Sequence, residues 1–138
     1  MNNAERIVKH LEMTQTVIDR MGRNSFQLKG WSMTIIVATT VLIARTNLPS
    51  PFFVFVFLIP ILGFWGLDGY FLWQERLFRE VYNDVRKQID TDFEMNSKKH
   101  KNEQDCRWRD AVRSIAIWPF YLLEILLTIG MFVIVWFC

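Results

Sequence analysis

Two carboxylates stand in stretches that otherwise hold almost no charge. Asp68 lies in the run from Gly63 to Trp73, and Glu124 sits near the middle of the apolar segment 114–137. If those runs cross a bilayer, both acids need an explanation, because a charged side chain there is costly and faces a partner or a water-filled cavity. Two arrangements are open for Glu124: protonated and hydrogen-bonded, with Thr39 or Thr40 at similar depth, or facing an aqueous path made by several subunits. Asp68 is shallower, within about two helical turns of Arg76 and near the level of Lys29, so an ion pair or a bond to a neighbouring helix end is expected. Lys29, Glu75, Arg76 and Arg79 belong to the same polar layer at the cytoplasmic interface.

Little else points to chemistry. No glycine-rich nucleotide loop follows a strand, and no strand pattern is convincing. His10 and His100 have no metal-ligand spacing around them. The chain has two cysteines, too few for a disulfide framework. Cys106 and Cys138 fall on opposite sides of the membrane in the topology below, and Cys106 reads as an ordinary cytoplasmic thiol. No enzyme activity, cofactor or metal is expected.

The elements that must position the acids follow from segregation of charge. In 138 residues, 51% are hydrophobic and 22% charged, and the charges cluster in the first thirty residues and between Gln74 and Arg113. The net charge of +2 gives no basis for nucleic-acid binding. One all-α membrane domain spanning 1–138 is expected, with three transmembrane helices and a cytoplasmic antiparallel two-helix extension. No secretory signal is read, because the first apolar run starts near Trp31.

Residues 3–24 form an amphipathic helix with Ile7, Leu11, Thr14, Ile18 and Met21 on one face. Gly22 and Asn24 weaken its end, and Asn24-Ser25 offers a new cap. The first span covers 26–44. A tight connection with Pro49 and Pro51 follows. The second span covers 52–73, with Pro60 inside it and Gly63, Gly66 and Gly69 permitting close approach of another helix. The same helix continues in water over 74–94, with Phe78, Tyr82, Val85, Ile89 and Phe93 as its stripe. Residues 95–104 read as an exposed loop, and 114–137 as the third span, with Pro119 tolerated in its first turns. Trp31, Trp73, Trp118 and Trp136 suit membrane interfaces.

Basic residues orient the spans. Arg20, Arg23, Lys29, Arg76, Arg79, Arg107, Arg109 and Arg113 collect on one side, against Arg45 on the other. The positive-inside rule then puts the amino terminus and 74–113 in the cytoplasm and the carboxyl terminus outside.

The segments Asn24-Ser-Phe-Gln-Leu-Lys-Gly-Trp-Ser32 and Phe64-Trp-Gly-Leu-Asp-Gly-Tyr-Phe-Leu-Trp-Gln-Glu-Arg-Leu-Phe-Arg79 resemble a widespread group of short bacterial membrane proteins. More loosely, the paired spans with helical extensions are similar to SLATT-type membrane modules of bacterial conflict and anti-phage systems. That resemblance implies a membrane effector of antiviral defence that assembles into pores; the third span with Glu124 departs from a two-span module. The leading expectation is an oligomeric inner-membrane protein acting as a pore-forming or membrane-perturbing effector, surrounded by lipid and associated with copies of itself. The alternative is a membrane anchor or adaptor whose helical stalk recruits a soluble cytoplasmic partner. A small ion or proton transporter subunit using Glu124 is a third reading, set against a single deep carboxylate and no internal repeat.

Overall fold

The computed structural model describes residues 2–46, 52–89, 91–101 and 107–137. Side-chain surroundings are defined for these except 42–46, 52–54 and 134–137. The turn at 47–50 with Pro51, residues 102–104 of the expected loop, Cys106 and Cys138 lie outside the described residues, as does the side chain of Trp136. No strand occurs among the described residues, and the all-α class read from the sequence holds.

The first helix, α1 (Asn3–Thr46), is 44 residues long and unbroken, about 66 Å from end to end. The sequence places a break near Gly22 and Asn24; none occurs. A helical glycine costs only about 1 kcal/mol relative to alanine, and packing carries the helix through: Thr14, Ile18, Leu28 and Ser32 are all buried on one side of it. The second helix, α2 (Phe52–Arg86), has 35 residues and holds Pro60 in its interior. It runs antiparallel to α1. The start of α1 meets the chain beyond α2, where Arg6 donates to Thr91 O at 2.7 Å, Gly22 lies beside Glu75, and Lys29 reaches Asp68.

The charged extension of α2 ends at Arg86, eight residues short of the expected 94. Lys87 N–H and Gln88 N–H close turns onto Asp84 O and Val85 O, and residues 91–96 are non-helical. Two local bonds compete with the helix there: Thr91 Oγ1 accepts from Phe93 N–H at 3.2 Å, and Asp92 Oδ1 accepts from Glu94 N–H at 3.0 Å. The buried stripe is therefore Leu77, Val81 and Val85. Ile89, expected within it, is 90% exposed, and Phe93 sits at φ 61°, outside any helix.

A 3₁₀ turn, Ser97–His100, falls inside the segment read as a loop. The short helix α3 (Trp108–Val112) follows, then α4 (Trp118–Phe137), so the third apolar helix starts four residues later than expected. Pro119 occupies its first turn, where a missing N–H is harmless. α3 and α4 both pack on α2. Ile61, Ile117 and Tyr121 form the buried centre, flanked by Ile36, Phe64, Trp65 and Leu72 among others. Among the described residues one helix, Phe55–Arg86, is long and apolar enough to cross a membrane, with mean hydropathy 1.7 over its most apolar window; Trp118–Val133 is a shorter apolar helix.

Candidate functional site

The polar side chains inside the bundle come from three helix faces with helical spacing. On α1, Ser25, Lys29 and Ser32 recur at intervals of four and three and so share one face. On α4 and the turn that leads into it, Ile117, Tyr121, Glu124 and Thr128 recur at four, three and four, and all are buried. Between them α2 contributes Asp68, which is 0% exposed.

Asp68 is held from α1. Lys29 Nζ stands 2.5 Å from Asp68 Oδ2 and donates also to Ser25 Oγ at 3.1 Å, while the Ser25 hydroxyl donates to Asp68 Oδ1. Both carboxylate oxygens thus have donors, and charge is balanced within the pair. Desolvated charges need this, since a buried carboxylate without a partner is strongly destabilising.

Glu124 is also held from α1, but by a residue the sequence reading did not assign to it. Ser32 Oγ donates to Glu124 Oε2 at 2.7 Å. The other oxygen, Oε1, has no hydrogen-bond partner among the described residues. Thr39 and Thr40, expected as partners, turn back on their own helix and donate to Ile35 O at 2.6 Å and Ile36 O at 2.7 Å. Hydroxyls at these positions satisfy themselves locally, whereas Ser32 lies on the buried face and reaches across. The Tyr121 hydroxyl is buried beside Asp68 and within electrostatic reach of Glu124, without a hydrogen bond of ordinary geometry among the described residues. Its ring stacks on Trp65 at 6.2 Å and 11°.

The expected polar layer separates into distinct contacts. Lys29 joins Asp68. Arg76 donates to Ser114 Oγ at 3.1 Å, tying α2 to the turn before α4. Glu75 and Arg79 pair with each other at 2.6 Å along α2. The three glycines also differ. A Cβ built at Gly69 would run into Val112, whose Cα is 3.2 Å away, while Gly63 and Gly66 have nothing within 4 Å. The close approach made by Gly69 is to α3, an element the sequence reading did not contain. Trp65 Nε1–H fixes the same junction by donating to Val112 O at 3.0 Å.

His10 and His100, isolated in the sequence, meet at the far end of the hairpin. His10 Nδ1 is 2.6 Å from Thr91 Oγ1, and its ring packs on Phe93 at 5.6 Å. His100 Nε2 lies 3.2 Å from Asp84. Together with Arg6, Glu94 and Lys99 they line an open cleft of about 580 Å³. Lys99 pairs with Glu94 at 2.6 Å; this holds the Glu94 carboxyl below its ordinary range, with a smaller contribution from Asn96, and raises the Lys99 ammonium. Among the described residues no group of three or more potential metal ligands is gathered.

The interior arrangement can hold three helices in register. No family model, no curated protein and no solved structure matches the chain.

Proposed function

We propose that this is a multi-pass bacterial inner-membrane protein that anchors a cytoplasmic helical hairpin and presents its tip to a soluble partner. The spans are the second half of α1, the first half of α2, and α4, with the amino terminus inside and the carboxyl terminus outside. Support comes from the large apolar side chains on the outer surfaces of all three: Ile35, Val37 and Val41 on α1, Ile59 and Leu62 on α2, and Leu123, Leu126 and Leu127 on α4 are exposed. Such an expanse of apolar surface suits lipid rather than water.

The observation that carries the anchor reading over the pore is the orientation of the acids. Asp68 and Glu124 both point into a single chain's interior and bond to α1, which is how structural polar groups behave. At the other end, the mixed-charge cleft around His10 and His100 is open to a partner. The second reading, a self-associated pore acting in antiviral defence, is favoured by Gly63 and Gly66. Nothing among the described residues lies within 4 Å of a Cβ placed there, so a helix of another copy has room to approach.

Thiol labelling of a Lys99→Cys variant and of the carboxyl-terminal Cys138 in intact cells tests the topology: opposite sides are expected, and the same side overturns it. Reconstitution then separates the two functions. The anchor predicts vesicles no leakier to ions than empty ones. A leak that rises with protein per vesicle and is lost in a Gly63→Leu/Gly66→Leu variant overturns it in favour of the pore.

A further inference from the structure

We propose that α3 and the turn after it form a docking site for the phosphate group of anionic phospholipids. The proposal rests on the membrane reading above and deepens it.

α3 lies flat on α2. Ala111 is fully buried and Val112 sits against Gly69, so the opposite side of this short helix faces outward. Arg107 at its N-cap, Trp108 and Arg109 within it, and Arg113 at its C-cap are all exposed, followed by Ile115 at 84% exposure. None of the three arginines pairs with a carboxylate among the described residues, although Asp110 lies between them. Guanidinium groups recognise phosphate oxygens bidentately and are weakly hydrated, so three of them beside exposed apolar groups suit a headgroup better than a solvated face.

The position is right for lipid. Trp73, where α2 passes from apolar to charged residues, and Trp118, the first residue of α4, suit a membrane interface. Lys101 Nζ stands 5.5 Å from the Trp73 ring, and Arg76 bonds to Ser114, so cations cluster at this level. Trp118, Leu122 and Leu123 in the first turns of α4 are exposed as well and offer apolar surface to an acyl chain. Free inorganic or glycerol phosphate offers the same oxygens without the chain; the exposed apolar side chains beside the arginines commit the site to the lipid.

The test uses the full chain in phosphatidylcholine vesicles containing brominated phosphatidylglycerol or, in parallel, brominated phosphatidylcholine at the same mole fraction. Quenching of tryptophan fluorescence is read, with a Trp108→Phe variant to isolate the local signal. Phosphatidylglycerol is expected to associate about fivefold or more in preference to phosphatidylcholine, and the preference is expected to vanish in Arg107→Gln/Arg109→Gln/Arg113→Gln of unchanged helicity. Equal quenching by both lipids, or a preference that survives the triple variant, overturns the site. Loss of the preference on adding free glycerol phosphate overturns the lipid as its source. Absence of quenching by either lipid overturns the membrane reading itself, which is a separate outcome.

Discussion

Lys29 Nζ lies 2.5 Å from Asp68 Oδ2 across 39 residues of chain, and this contact joins α1 to α2 where the apolar half of the hairpin meets the charged half. Breaking a buried pair from one side leaves an uncompensated charge and costs about 3–5 kcal/mol. Lys29→Met and Asp68→Leu are each expected to lower the unfolding midpoint in detergent substantially. The double variant is expected to recover much of the loss, since neither charge then remains. Additive losses in that double-mutant cycle would show that the pair is not coupled.

Glu124 and Ser32 make the corresponding contact between α1 and α4. Interhelical hydrogen bonds in membranes contribute about 0.6 kcal/mol on average, and up to about 1.7. Ser32→Ala is expected to fall in that range by denaturant titration, while Thr39→Ala and Thr40→Ala, which break only bonds within α1, should leave the α1–α4 contact intact. Hydrogen exchange over α4 reads that contact. Faster exchange there in the threonine variants but not in Ser32→Ala contradicts the assignment.

Gly69 is the glycine with a steric reason to be glycine. Gly69→Leu is expected to push α3 off α2, because Val112 Cα is only 3.2 Å from the new Cβ and backbone cannot yield cheaply. The readout is faster hydrogen exchange over 108–114. Gly66→Ala, with nothing within 4 Å, should leave exchange there unchanged; a similar acceleration in both variants would remove the steric argument.

The Glu94–Lys99 contact makes the tip sensitive to pH at both ends of the scale. Glu94 is lowered from its ordinary 4.5, so its contribution is present above that value and fades as pH falls through the lowered one. Lys99 is raised from 10.5, so its contribution is full below that value and is lost as pH rises through the raised one. Both groups are exposed and the effect is local. The side-chain chemical shifts of Glu94 and Lys99 should therefore move at these two limits, and Glu94→Gln should abolish the acidic limb. An acidic limb that persists in that variant points to another titrating group.

Much of the architecture was legible in the chain because it depends on periodicity. The helical class, the change in α2 from apolar to charged residues, and the face of α1 containing Thr14 and Ile18 all follow from spacing. Glu124 stood out through its depth in an apolar segment, although the spacing of Tyr121, Glu124 and Thr128 also marks one buried face of α4. The boundaries were harder. Gly22 and Asn24 suggested an end to α1 that packing overrides, and no propensity rule reveals that Thr91 and Asp92 would redirect the backbone after α2.

What the sequence by itself determined is the kind of chain this is: helices with apolar outer faces, a charged extension, and two acids in costly places. Lys29 already stood near the level of Asp68 in the sequence, but the other groups that answer the acids were decided only by tertiary structure. Ser25 and Ser32 are unremarkable in order along the chain, and Thr39 and Thr40 are equally polar. The difference is angular position on α1, which matters only once α2 and α4 are in place, because a hydrogen bond across helices depends on rotation and register that local spacing does not contain. The meeting of His10 with Thr91 has the same cause: antiparallel pairing brings together residues 81 apart in the chain.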